Sequence, residues 1–166
     1  MATSKQEARA AAGIGKVDPI WTKMRQEVEA IVNQEPALAS FAFSTILNHS
    51  RLEDAVVHRL AARLDHPDVS GELIRQTFED ALDDDPDIGA AFRADIAATV
   101  DRDPACNRYI EPVFYFKGFH AVQIQRFAHW LWKQGRKDFA FYLQSRTSQV
   151  LQLDLPPAVA IGKGIM

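Results

Sequence analysis

Two aspartates close to prolines, one cysteine and a pair of histidines nine apart are the residues whose types and spacing could do chemistry. Asp154 stands in LDLPP and Asp103 in RDPA. A carboxylate at either place can orient a base or hold a substrate group, but it can equally close a turn, since aspartate beside proline is a common turn former. Asp103 directly precedes Pro104, so a cap or turn role stands beside substrate contact. Cys106 lies three residues further on with no evident base to make it a thiolate nucleophile. As the single cysteine it excludes an internal disulfide and a cysteine-based metal cluster. His120 and His129 are separated by about 180° of helical turn. They cannot share a ligand site on one helix, so both read as hydrogen-bonded packing histidines. His49, His58 and His66 show no metal-ligand spacing either, and no metal is expected.

Three further stretches invite chemistry and fail on their own chemistry. DDDPDIG at 83–89 superficially matches a calcium loop. Ile88 stands where that loop needs glycine, and Ala94 where it needs a bidentate glutamate; helix capping by Asp85 explains the acidity. GIGK at 13–16 lacks the first glycine of a phosphate loop and the hydroxyl residue after its lysine. The aromatics Phe114, Tyr115, Phe116 and Phe119 sit in apolar helical context, which favours core or subunit packing over an adenine platform.

The elements that must position these residues are helices. Asp18 and Pro19 form an N-cap and first-turn pair, opening a helix through about Asn33. Glu35-Pro36 opens the next, with Leu38, Phe41, Thr45 and Leu47 on or near one face. Ser50 to Glu53 reads as a capping box, followed by Leu52, Val56, Leu60 and Leu64 at i, i+4 spacing. Ser70 starts a helix carrying Leu73, Ile74, Phe78 and Leu82, and Asp85-Pro86 starts one through about Val100. After a segment punctuated by proline and aspartate, two more helices run over about 117–134 and 136–150. Gly135 stands between them, where a left-handed cap belongs. The fold class predicted is an all-α domain of seven or eight helices.

Near Leu151 the period changes. Leu155 and Ile161 stand six apart, as do Val159 and Ile165, and Pro156-Pro157 forbids further helix. A period of six belongs to stacked hexads, three of which make one coil of a left-handed parallel β-helix. Two hexads are less than one coil, so this segment is expected to be frayed or borrowed by a neighbour. The expected layout is a tail over 1–17, a helical assembly and substrate-contact domain over 18–151, and an incomplete β-helix over 152–166.

Bulk properties narrow the function classes. The chain has 166 residues, 47% of them hydrophobic and 25% charged, with a net charge of −3. That length supports one domain with a real core. The slight acidity and scattered arginines give no basic stripe for nucleic acid or an anionic membrane. No stretch reaches the roughly 18 apolar residues of a membrane span, and the first residues hold no apolar core of signal-peptide length. The expected location is cytoplasmic.

The stretch DRDPACNRYIEPVFYFKGFHAVQIQRFAHWLWKQGR at 101–136, followed by LDLPPAVAIGKGIM at 153–166, resembles the bacterial serine O-acetyltransferases. RDPA, KGFHA, HWLW and AIGKGIM, in this order, carry the resemblance, which extends from about Ile20 to the end. It implies a helical domain that assembles two trimers into a hexamer, and a β-helix carrying active sites between neighbouring subunits. The implied reaction moves acetyl from acetyl-CoA, a co-substrate and not a bound cofactor, to the hydroxyl of L-serine. Cysteine is the implied inhibitor, acting at the serine site.

Residue by residue, the resemblance matches Asp154 to an aspartate that orients the catalytic histidine, and Asp103 to one that contacts the substrate amino acid. The histidine, the rest of the serine pocket and the CoA site are expected beyond Met166, so the chain reads as truncated and inactive alone. Pro156 stands where the family often has histidine, which keeps the turn and removes a polar side chain. The family's sulfhydrylase partner binds a C-terminal tail that is not among these residues, and that complex is not expected. Two other readings are a catalytically inactive helical oligomerisation module and another hexapeptide acyltransferase with a different acceptor. RDPA and KGFHA, which belong to the serine-specific helical region, argue against the latter.

Overall fold

The computed structural model describes residues 17–166. The GIGK stretch and nearly all of the expected tail lie outside the described residues. The chain groups into two compact units, the first ending at Val56 and the second running Val57–Met166.

In the first unit, α1 (Pro19–Gln34) begins as its sequence predicts. Asp18 Oδ1 accepts the Trp21 N–H at 3.2 Å, and Pro19 occupies the first helical position where no N–H is needed. Trp21, Met24, Val28 and Ile31 form its buried stripe. Trp21 Nε1 donates to the Ser50 carbonyl at 3.0 Å. Arg25 Nη1 donates to the carbonyls of Leu47 (3.3 Å) and His49 (2.8 Å). These are acceptors a helix end leaves open.

The next helical stretch departs from expectation. It is a 3-10 turn (Pro36–Leu38), a short α2 (Ala39–Ala42) and a π turn (Phe43–Leu47), closed by Asn48 N–H to the Phe43 carbonyl at 2.9 Å. Each change of pitch rotates the apolar stripe. Ala42, Thr45 and Ile46 are buried, while Leu38 and Phe43 are exposed. The face predicted at α-helical spacing is correct at Thr45 and displaced elsewhere. α3 (Leu52–Leu64) carries the chain from the first unit into the second.

The second unit is built around α7. α4 (Gly71–Asp84) starts at Ser70, whose Oγ accepts the Leu73 N–H at 3.2 Å. α5 (Asp87–Arg102) comes next, with Asp85 Oδ1 taking the Asp87 N–H. A short α6 (Ile110–Tyr115) forms inside the segment punctuated by proline and aspartate, where the sequence predicts no helix. Pro112 falls in its first turn, where the missing N–H has no intrahelical partner to lose. α7 (Lys117–Lys133) packs on α4, α5, α6 and α8 (Lys137–Leu151). Phe127 of α7 stacks on Phe78 at 4.0 Å and meets Phe92 edge-on at 5.9 Å. All three are fully buried, each worth about 1.5–3 kcal/mol of apolar burial. Gly135, at φ +75°, ends α7. Arg136 N–H reaches the Leu131 carbonyl and Gly135 N–H that of Trp132, the paired bonds of a left-handed glycine cap.

Residues 152–166 are irregular backbone interrupted by turns and bends, and the described residues contain no strand. The expectation that this segment frays is corrected. Gln125 Nε2 donates to the carbonyls of Pro156 (3.1 Å) and Val159 (2.5 Å), and His129 Nδ1 to that of Pro157 (2.8 Å). Side chains of α7 thus satisfy these three carbonyls without sheet pairing.

Candidate functional site

Asp103 stands directly after α5. Its N–H reaches back to the Thr99 carbonyl at 2.9 Å, its Oδ1 accepts the Ala105 N–H at 2.9 Å, and its carbonyl accepts the Cys106 N–H. The turn role weighed from sequence is therefore real. Among the described residues Oδ2 has no hydrogen-bond partner, and Asp103 lines a pocket of about 410 Å³. Asp95, Thr99, Lys117, Phe119, Gln123 and Ile165 line the same pocket. One aspartate thus closes a turn with one oxygen and can serve a ligand with the other.

Asp154 does not line that pocket. It is exposed, held by Gln144 Nε2, which donates to its Oδ1 at 2.6 Å. Just after it, the Val159 N–H reaches the Pro156 carbonyl at 3.3 Å, a turn that proline at this position leaves intact. The two aspartates singled out by sequence therefore occupy separate places within this chain.

The remaining candidates resolve into structural roles. His120 is fully buried, its Nε2 donating to the Val113 carbonyl at 2.7 Å. Burial, reinforced by the positive charges of Arg59 and Arg63, pushes its pKa down to about 4, so the ring is neutral near pH 7. His129 holds the Pro157 carbonyl through Nδ1. The Cys106 thiol is buried and pushed up to about 11, first by desolvation and then by its contact with Glu111. Such a thiol is a poor nucleophile. Within the acidic run, Asp84 Oδ2 accepts Trp130 Nε1 at 2.8 Å and Asp87 pairs with Lys163 at 3.1 Å. Among the described residues no group of three histidine, cysteine, aspartate or glutamate side chains could hold a metal ion.

Sequence reasoning missed Asp95. Its side chain is 1% exposed and takes four hydrogen bonds, two from α7 and two from the backbone near Met166. The available signal was its phase. It lies on the buried stripe of α5 with Ile88, Phe92, Ile96 and Thr99, where an acidic residue demands a partner.

Residues 20–124 match the family model described as serine acetyltransferase, N-terminal. The chain is 40% identical over 151 residues to a serine acetyltransferase of Escherichia coli K12, covering 91% of this chain and 55% of the relative. It spans, therefore, about half the length of such curated relatives. Among solved structures, it is similar to a serine acetyltransferase of Brucella abortus strain S19 in complex with coenzyme A. That likeness has 53% identity and a TM-score of 0.88 over 92% of this chain and 61% of the other. A serine acetyltransferase in complex with cysteine is similar at 41% identity and a TM-score of 0.87, over 89% of this chain and 57% of the other.

Proposed function

This chain belongs to the serine acetyltransferase family, and on that ground we propose that it serves in transfer of the acetyl group of acetyl-CoA to the hydroxyl of L-serine, yielding O-acetylserine for cysteine synthesis. The observation that carries this reading to particular residues is Asp103, which lines a pocket while one carboxylate oxygen is spent on its turn and the other has no hydrogen-bond partner among the described residues. The open oxygen accepts a hydrogen bond from serine, an anion meeting the cationic amino group. A base removes the serine hydroxyl proton as the oxygen attacks the thioester carbonyl. The tetrahedral intermediate then collapses, breaking the C–S bond, and the departing thiolate recovers the proton. The resemblance assigns that base to a histidine outside these 166 residues, oriented by Asp154 through its carboxylate.

The wider arrangement belongs to the same proposal. Residues 18–151 act as the assembly and substrate-contact domain, and 152–166 begin a left-handed β-helix of hexapeptide repeats. The complete polypeptide forms a trimer or a dimer of trimers in the cytoplasm. Cysteine inhibits at the serine site, and the cysteine complex of a similar protein supports that assignment.

The deciding experiment is thiol release from acetyl-CoA, with and without L-serine, by the complete polypeptide and by the 166-residue chain. Serine-dependent release is expected from the first and none from the second. Absence of release from the complete polypeptide would remove the acyltransfer reading, and turnover by the 166-residue chain would place the base within it.

A further inference from the structure

Four donors converge on the buried carboxylate of Asp95. Oδ1 accepts the backbone N–H of Gly164 at 2.8 Å and of Ile165 at 2.9 Å. Oδ2 accepts Gln123 Nε2 at 2.7 Å and Arg126 Nη1 at 2.6 Å. Arg126, itself 7% exposed, sends Nη2 to the Gly162 carbonyl at 2.5 Å, and Arg102 Nη1 reaches the Gly164 carbonyl at 2.9 Å. Both kinds of backbone group along 162–165 are thus engaged by side chains of α5 and α7.

A buried ion pair adds little net stability over well-packed apolar side chains, because desolvation offsets its attraction. What this pair does is geometric. In a stacked-repeat fold a coil takes its register from its neighbours. Here 162–165 take theirs from two helices. Ile165, held through its own N–H, then stands as a wall of the pocket that Asp103 borders.

We propose that Asp95, together with Arg126, is a positioning residue of the acetyl transfer, fixing 162–165 on the helices so that this segment and the coils continuing from it approach the Asp103 pocket in one register. Its kinetic consequence rests on the serine acetyltransfer reading; its structural consequence does not. Asp95 itself lines the same pocket, but both its oxygens are taken up by the four donors. On this view it makes no contact with the reacting atoms and acts through the backbone it holds.

The test uses the complete polypeptide with two variants. Asp95→Asn keeps the volume of the side chain and turns an amide donor toward donors on one side. Arg102→Ala removes an exposed contact to the same segment and carries little folding risk. Amide exchange is read on the peptide covering 162–165, and steady-state kinetics on serine-dependent thiol release. Asp95→Asn is expected to speed exchange there about tenfold or more. It should lower kcat about 100-fold, the scale of a 1 Å misplacement, with the acetyl-CoA KM within about twofold. Arg102→Ala should move both readouts the same way by about threefold, at an unchanged melting temperature. Unaltered exchange in a folded Asp95→Asn protein overturns the proposal, as does faster exchange with unaltered kcat. If Asp95→Asn does not fold, Arg102→Ala decides between the same outcomes. No serine-dependent release from the unaltered polypeptide would sink the functional reading, and exchange alone would then decide whether Asp95 holds the segment.

Discussion

Gln144 of α8 donates from Nε2 to Oδ1 of Asp154 at 2.6 Å, so a helix side chain sets the direction of the carboxylate proposed to orient the catalytic histidine. Asp154 is exposed, and its replacement disturbs no core packing. Asp154→Asn in the complete polypeptide is expected to lower kcat about 100-fold to 10,000-fold, the range found when a base loses the carboxylate that fixes its tautomer. The melting temperature should stay within a degree or two. Steady-state thiol release and a thermal melt check both parts, and a kcat within twofold of the unaltered protein would remove Asp154 from the mechanism.

Asp103 divides its oxygens between a turn and a pocket, so its substitution can separate the two roles. Asparagine retains an acceptor for the Ala105 N–H but carries no charge toward a serine ammonium. A hydrogen bond to a charged group is worth about 1.5–3 kcal/mol. Asp103→Asn should therefore raise the serine KM about 10-fold to 100-fold and leave the acetyl-CoA KM nearly unchanged. A uniform rise in both constants would point to a distorted turn instead.

His120 makes stability fall on the acid side. Its folded pKa of about 4 lies below the ordinary value of 6.5, because burial opposes the charged ring. The unfolded chain binds the proton first, so stability is complete above about pH 6.5 and declines as pH falls toward 4. The full decline from this one group is about 3 kcal/mol. Denaturant titrations of the 166-residue chain across that window, compared with His120→Gln, should show a shallower pH slope in the variant. Parallel slopes would mean that His120 titrates normally.

The Cys106 thiol, raised to about 11 by burial and by Glu111, is expected to react with iodoacetamide at pH 8 about 100-fold more slowly than a free cysteine. Alkylation and then mass spectrometry read this directly, with the denatured chain as the fast reference. Rapid modification of the folded protein would reveal an accessible thiolate.

The range of the forces involved decides how much of this was legible in the sequence. Asp18-Pro19, Ser70 and Gly135 announced helix ends because a cap depends on residues three or four positions away. RDPA and LDLPP pointed to Asp103 and Asp154 through the family resemblance, and only Asp103 also closes a turn of its own, through Ala105. The π turn at Phe43–Leu47 was not legible. It forms where Arg25 and Trp21, more than twenty residues earlier, meet carbonyls at and beyond its end. Asp95 was still further out of reach. An acidic residue on an apolar stripe signals an unmet partner, but the partners are Gln123, Arg126 and two amides near Met166. Only the packing of α5 against α7 brings them to one carboxylate, across sequence separations of 28 to 70 residues. The sequence by itself determined most helix ends, through hydrogen bonds that close over one turn, and it singled out the two candidate aspartates by resemblance to a family. The tertiary structure alone decided which buried charges meet and how the hexad segment is held, because such pairings depend on helix placement and leave no local pattern.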